Sequence, residues 1–113
     1  MKVDSDMNSY GSASFANPSF RWTIESHIPY LLSLATTRSI SVDPHATIVY
    51  NQDLYGYLLS IGVQPCYHWI TMRVNGMFSP TEFNSNSVSV LVPNSNELES
   101  IRQSWAASTV IKS

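Results

Sequence analysis

Ions are scarce in this chain. Only 12% of its 113 residues are Asp, Glu, Lys or Arg, against about 25% in an ordinary globular domain. The six Lys and Arg stand singly, with a net charge of -2, so they make no basic footprint for nucleic acid. Cys66 is the only cysteine, which excludes an internal disulfide framework and a thiolate-rich metal site. No run approaches the roughly 20 apolar residues needed to cross a bilayer. The opening MKVDSDMNSYGSASFANPS carries two early aspartates and lacks the apolar core of a signal peptide. The expectation is a soluble chain made in a reducing compartment.

What is present is neutral polarity: 19 serines and 8 asparagines beside 43% hydrophobic residues. Folding of a chain this long buries roughly 65% of the surface that the unfolded chain exposes, enough for one domain. Between Thr47 and Asn94 only Asp53, Arg73 and Glu82 are charged. The outer faces there must be Ser, Asn, Thr, Tyr and apolar atoms, a composition that suits contact with neighbouring subunits, because interface cores are depleted in charge.

Residues 1–19 have too little apolar surface to offset the entropy of local ordering, with Tyr10 and Phe15 isolated. They read as an arm, mobile alone and ordered along a neighbour. Alternation of Phe20, Trp22 and Ile24 predicts a short strand, and Pro29 interrupts any helix there. Tyr30 to Ala35 is open between a helical turn and extended chain. Ser39 to Val42 reads as a weak strand stopped by Asp43-Pro44, and the β-branched Thr47 to Tyr50 as a second strand.

Leu54, Leu58 and Ile61 recur at helical spacing behind Asn51 or Asp53 as cap, predicting a helix from Asp53 to Ile61 that Gly62 ends. Pro65 suits a first helical position. Tyr67, Ile70 and Val74, widened by Trp69 and Met72, make the stripe of a second helix that stops at Asn75-Gly76. A loop from Met77 to Ser87 then leads to a strand, Val88 to Val92, ending at Pro93. Ser95 or Asn96 caps a terminal helix with Glu97 and Glu99 in its first turn and Leu98, Ile101 and Trp105 on one face.

No catalytic set emerges. The ordinary ligand and nucleophile material is His27, His45, His68 and Cys66. Cys66 and His68 are two apart and point to different sides of a helix. Zinc held by Cys66, His68 and His45 would lack a recurrent ligand spacing. Asp43 belongs to a turn signal and Glu82 to a polar loop. His68 is expected to face solvent or a partner, Cys66 to be a small buried residue, and Trp69 to pack in the core. No cofactor, metal or catalytic residue is expected.

From Ile48 to Asn94 the order of elements resembles a LysM module, in which two helices pack on one side of a two-stranded antiparallel sheet. The residues that carry the likeness are DLYGYLLSIGV, WITMRVNG and the closing VSVLVPN. More narrowly the chain resembles LysM-like proteins of the baseplate wedge in contractile phage tails. In these an aromatic pair, here Tyr67 and Trp69, opens the second helix. A terminal helix like Glu97 to Ala106 follows the module, and an extension with aromatic and Ile-Pro segments, like Phe20 to Pro29, precedes it.

The resemblance implies an α+β fold: an extended N-terminal arm and short strands over 1–46, the module over 47–94 and a C-terminal amphipathic helix over 95–113. It implies a non-enzymatic structural subunit of the virion, assembled in the host cytoplasm, that joins hub or tail tube to wedge proteins. Phe20, Trp22, Ile28, Leu98, Ile101 and Trp105 are the expected interface side chains, with Trp22 and Trp105 as anchors because large aromatics dominate interface energetics. The alternative is a module that binds the N-acetylglucosamine glycan of peptidoglycan through Asn51, Gln52, Asp53, Gly76, Met77 and Phe78. Tyr50-Asn-Gln-Asp stands where a typical module has Gly-Asp, and the link Val63-Gln-Pro-Cys is also unusual. The first of these departures alters the loop that shapes the sugar groove.

Overall fold

The computed structural model describes residue 15 and residues 17–112, with side chains through residue 107. Most of the expected arm, Tyr10 included, lies outside the described residues. The first element is a helix where a strand is predicted. Asn17 caps it, its side-chain oxygen accepting the Ser19 amide at 2.8 Å, and Pro18 occupies the opening turn of α1 (Pro18–Glu25). In this helix Phe20 and Ile24 stand one turn apart, both fully buried, while Trp22 points away and is 79% exposed. Three alternating residues match a strand and a helical face equally well; the cap decides, contributing about 1 kcal/mol.

Pro29 opens the next helix, α2 (Ile28–Ser33), where a missing N–H costs no intrahelical bond. The chain then extends into β1 (Arg38–Ser41), as the reading of Ser39 to Val42 predicts. Asp43-Pro44 begins a helix, α3 (Pro44–Val49), with the Asp43 carboxylate accepting the His45 amide at 2.8 Å. Thr47 to Tyr50 is therefore not a strand, since β propensity on the order of a few tenths of a kcal/mol per residue yields to the cap and to burial of Thr47.

Asp53 caps α4 (Leu54–Ser60) through the Gly56 amide at 3.0 Å. A 3₁₀ turn, Pro65–Tyr67, runs into α5 (His68–Val74). Gly62 and Gly76, with φ of 91° and 77°, supply the left-handed residues after α4 and α5. The loop beyond holds a second 3₁₀ turn, Pro80–Glu82, closed by a Ser79/Glu82 capping box. β2 (Ser89–Val92) pairs antiparallel with β1, Ile40 opposite Val90 and Ser39 opposite Leu91. Displacement of the expected first strand into α3 thus moves the partner of β2 back to Arg38–Ser41. The last element is α6 (Ser95–Lys112).

The fold is α+β: a two-stranded antiparallel sheet with short helices packed on it and a C-terminal helix. Two apolar clusters share α5. One gathers Leu54, Tyr57, Leu58, Met72, Phe83, Val90 and Val92 between the sheet and the α4–α5 pair. The other gathers Phe15, Phe20, Ile24, Leu31, Ile70, Val74, Leu98 and Ile101 between α5 and the helices α1, α2 and α6. Helix α5 feeds both sides, which is why five of its seven residues are buried and its stripe is wide. Each large side chain so buried contributes roughly 1.5–3 kcal/mol relative to exposure.

Candidate interaction surface

Most side chains expected at an interface serve this chain's own core. Phe20, Leu98 and Ile101 are 0%, 1% and 9% exposed and have no free surface to offer a partner. Ile28 and Trp105 are half-buried against the same cluster, and the Phe20 and Trp105 rings lie 5.1 Å apart. Polar contacts from Tyr67 and Tyr30 tie α6 down beside them, and Arg102 braces Glu99 from one turn along the same helix. Tyr67 Oη donates to Glu99 Oε2 at 2.9 Å, while Arg102 Nε donates to Glu99 Oε1 at 2.8 Å. Burial, and then this bond to a carboxylate, push the Tyr67 phenol well above its ordinary range. Tyr30 Oη donates to Glu97 at 3.2 Å, and that bond raises its pKa too.

Of the six, only Trp22 stands free, and Arg73 of α5 organises the surface next to it. Arg73 Nε donates to Glu25 Oε1 at 2.8 Å and Nη1 donates to the Met77 carbonyl at 2.8 Å. Its guanidinium lies 4.2 Å from the centroid of the Phe78 ring. Phe78 is 79% exposed, held by the cation beneath it. Trp22 lies three residues before Glu25 on α1, hence on the same helical face. The Glu25–Arg73 ion pair thereby ties the helix that carries Trp22, from the interface set, to the cation beneath Phe78, from the glycan-groove set. That pair spans 48 positions of sequence; the only hint of it is that Arg73 is the sole cation between Thr47 and Asn94.

The remaining groove residues divide. Asn51, Gln52, Asp53 and Gly76 are exposed and Met77 is half-buried against the first cluster. Gln52 adopts φ of 62°, alone among described non-glycine residues, and its amide donates to the Phe83 carbonyl at 2.8 Å. The Asp53 carboxylate is engaged by the Gly56 amide, which leaves Asn51 and Gln52 as the polar side chains that this loop presents.

His68 does not face solvent as expected: it is 5% exposed, and its Nε2–H donates to the Val63 carbonyl at 2.8 Å, since a carbonyl can only accept. Its ring tilts against Tyr55 at 5.4 Å. Cys66 is half-buried on the rim of an open hollow of about 270 Å³ that Arg21, Tyr55, His68 and Trp69 also line. Trp69 is half-buried there, beneath the Arg21 guanidinium at 4.7 Å, rather than wholly in the core. Asp43 and Glu82 each cap a helical turn. Among the described residues, no three His, Cys, Asp or Glu gather where they could hold a metal ion.

No protein-family model matches the chain, and comparisons with curated proteins and with solved structures give no match.

Proposed function

We propose that the chain is a non-enzymatic structural subunit of a phage tail baseplate, a LysM-like adaptor that joins hub or tube to wedge proteins. The observation that carries the reading is the surface around Arg73. Phe78 lies against the Arg73 guanidinium and Trp22 stands on the helix that supplies Glu25, each 79% exposed, around an ion pair that is already neutralised within the chain. Aromatic residues and Arg are the side chains over which binding energy concentrates at protein interfaces, and a neutralised pair can be covered without stranding a charge. The helix pair α4–α5 on a ribbon, followed by a terminal helix, supports the LysM-like part of the reading. The ribbon's first strand comes from Arg38–Ser41, ahead of the stretch that carries the resemblance.

The test is incorporation. Trp22→Ala with Phe78→Ala should fold as the parent does yet fail to co-purify with assembled tails. Normal incorporation of this double variant overturns the reading.

The peptidoglycan alternative draws on one observation, the open Phe78 ring near a loop that presents Asn51 and Gln52. Titration with chitin oligosaccharides separates the two: saturable binding lost in Asn51→Ala with Gln52→Ala favours the glycan module.

A further inference from the structure

Each strand of the ribbon uses one edge for its partner and has another facing away, and the two outward edges are treated differently. The hydrogen-bonding phase follows from two independent contacts. The Val42 amide donates to the Val88 carbonyl at 3.0 Å. The Leu91 amide turns the other way and donates to Asn75 Oδ1 at 2.8 Å, while Asn75 Nδ2 donates to the Leu91 carbonyl at 2.9 Å. Bonded and non-bonded pairs alternate along an antiparallel ladder. Ile40 and Val42 therefore aim their peptide groups at β2, and Ser39 and Ser41 aim theirs outward.

On β2, the Asn75 amide reproduces at Leu91 what a neighbouring strand would supply, one acceptor and one donor. Among the described residues nothing equivalent stands on β1. The peptide groups of Ser39 and Ser41 have no hydrogen-bond partner among the described residues, and both residues are exposed. Natural edges discourage pairing with proline, lysine or a bulge; β1 carries none of these, and its single charge, Arg38, stands at one end.

We propose that this edge docks the same edge of a second copy of the chain, β1 against β1, antiparallel about a two-fold axis at Ile40. The outward groups lie symmetrically on either side of Ile40, so the edge is its own complement. Ser39 pairs with Ser41 across the axis on both sides, making four backbone hydrogen bonds. Arg38 comes opposite Val42, so no like charges meet. The product is a four-stranded sheet in the order β2-β1-β1-β2. On β2 Asn75 occupies the outward groups of Leu91 and leaves Ser89 as the single open position, too little for a further copy to pair along, so assembly closes at two copies instead of growing into a fibre.

An edge of four residues buries far less than the roughly 1,200–2,000 Å² of a stable interface. The dimer is consequently weak, and it gains most where copies are held close together.

Sedimentation equilibrium of the full chain over rising concentration tests this, together with amide hydrogen exchange. The mass is expected to climb toward twice the monomer, with the Ser39 and Ser41 amides gaining protection as it does. Ser39→Pro removes a donor that the β1–β2 ladder does not use and should abolish the dimer. Should proline disturb the strand, Ser39→Lys with Ser41→Lys keeps the backbone and sets like charges across the axis, weakening association about tenfold. A monomer at every concentration overturns the proposal. So does a dimer that the lysine variant leaves unchanged, or one whose Ser39 and Ser41 amides exchange freely.

Discussion

Tyr67 Oη donates a hydrogen bond to the Glu99 carboxylate at 2.9 Å, linking the turn before α5 to the helix that closes the second cluster. Glu99 keeps Arg102 as a partner when the phenol is removed, so Tyr67→Phe should cost only about 1 kcal/mol. The pH dependence is more diagnostic. The folded pKa is raised above the unfolded value of about 10, so the phenol's contribution is complete below about pH 10 and drains away as pH climbs toward the folded pKa. Urea midpoints measured from neutral to strongly alkaline pH should fall in that limb. The Tyr67→Phe protein should show a shallower fall.

The two tryptophans expected as interface anchors have opposite fates. Trp105 packs half-buried on Phe20 at 5.1 Å, so Trp105→Ala should destabilise the isolated protein by roughly 2 kcal/mol, below the range for a fully buried aromatic. Trp22 is 79% exposed, and Trp22→Ala should stay within about 0.5 kcal/mol of the parent. Thermal unfolding of the two variants side by side checks the contrast. Equal losses would contradict it.

What the residues disclose in advance depends on how local the deciding interaction is. Helices α4 and α5 are legible because the cap, the apolar spacing and the stop lie within a dozen positions: Asp53 before Leu54 and Leu58, then Gly62; Ile70 and Val74, then Asn75-Gly76. Helices α1 and α3 are misread at one recurring signal. Asn17-Pro18 falls within the expected arm and Asp43-Pro44 reads as a stop, yet each is a cap followed by a proline in the first turn. An Asx-Pro pair ends whatever precedes it and can begin a helix, and only what the next turn buries decides between the two. The surface around Arg73 is harder still, because Glu25 reaches it from 48 positions away and no periodicity records that.

Gln52 holds φ of 62°, a conformation that costs a non-glycine residue on the order of 1–2 kcal/mol. Gln52→Gly removes that strain but enlarges the entropy of the unfolded chain, a loss of about 0.5–1 kcal/mol. The net expectation is a gain of roughly 0.5 kcal/mol. Gln52→Val has the opposite sign, a loss of about 1 kcal/mol, because a β-branched side chain fits this region worse. Chemical denaturation of both variants reads the difference. A destabilised glycine variant would mean that the Gln52 side chain, not only its amide to Phe83, holds the loop.

Asn75 is the side chain on which helix and sheet depend together. Its amide nitrogen donates to the Thr71 carbonyl at 2.7 Å and to the Leu91 carbonyl at 2.9 Å, while its oxygen accepts the Leu91 amide at 2.8 Å. Asn75→Ala leaves the Leu91 peptide groups without their partners in a half-buried place and should cost about 2–3 kcal/mol. Asn75→Asp keeps the acceptor but replaces the one nitrogen that makes both donations with an oxygen facing the Thr71 and Leu91 carbonyls, so it should recover little of that loss at neutral pH. On acidification the Asp variant regains one donor once its carboxylate takes up a proton, and its stability should rise relative to the Ala variant. Asn75→Ala also bares the outer edge of β2 at Leu91. If β1 self-pairing is the only association available to the parent chain, Asn75→Ala supplies a second free edge and converts a closed dimer into an open series. Sedimentation of Asn75→Ala should then show species beyond the dimer, and these should vanish when Ser39→Lys and Ser41→Lys are added.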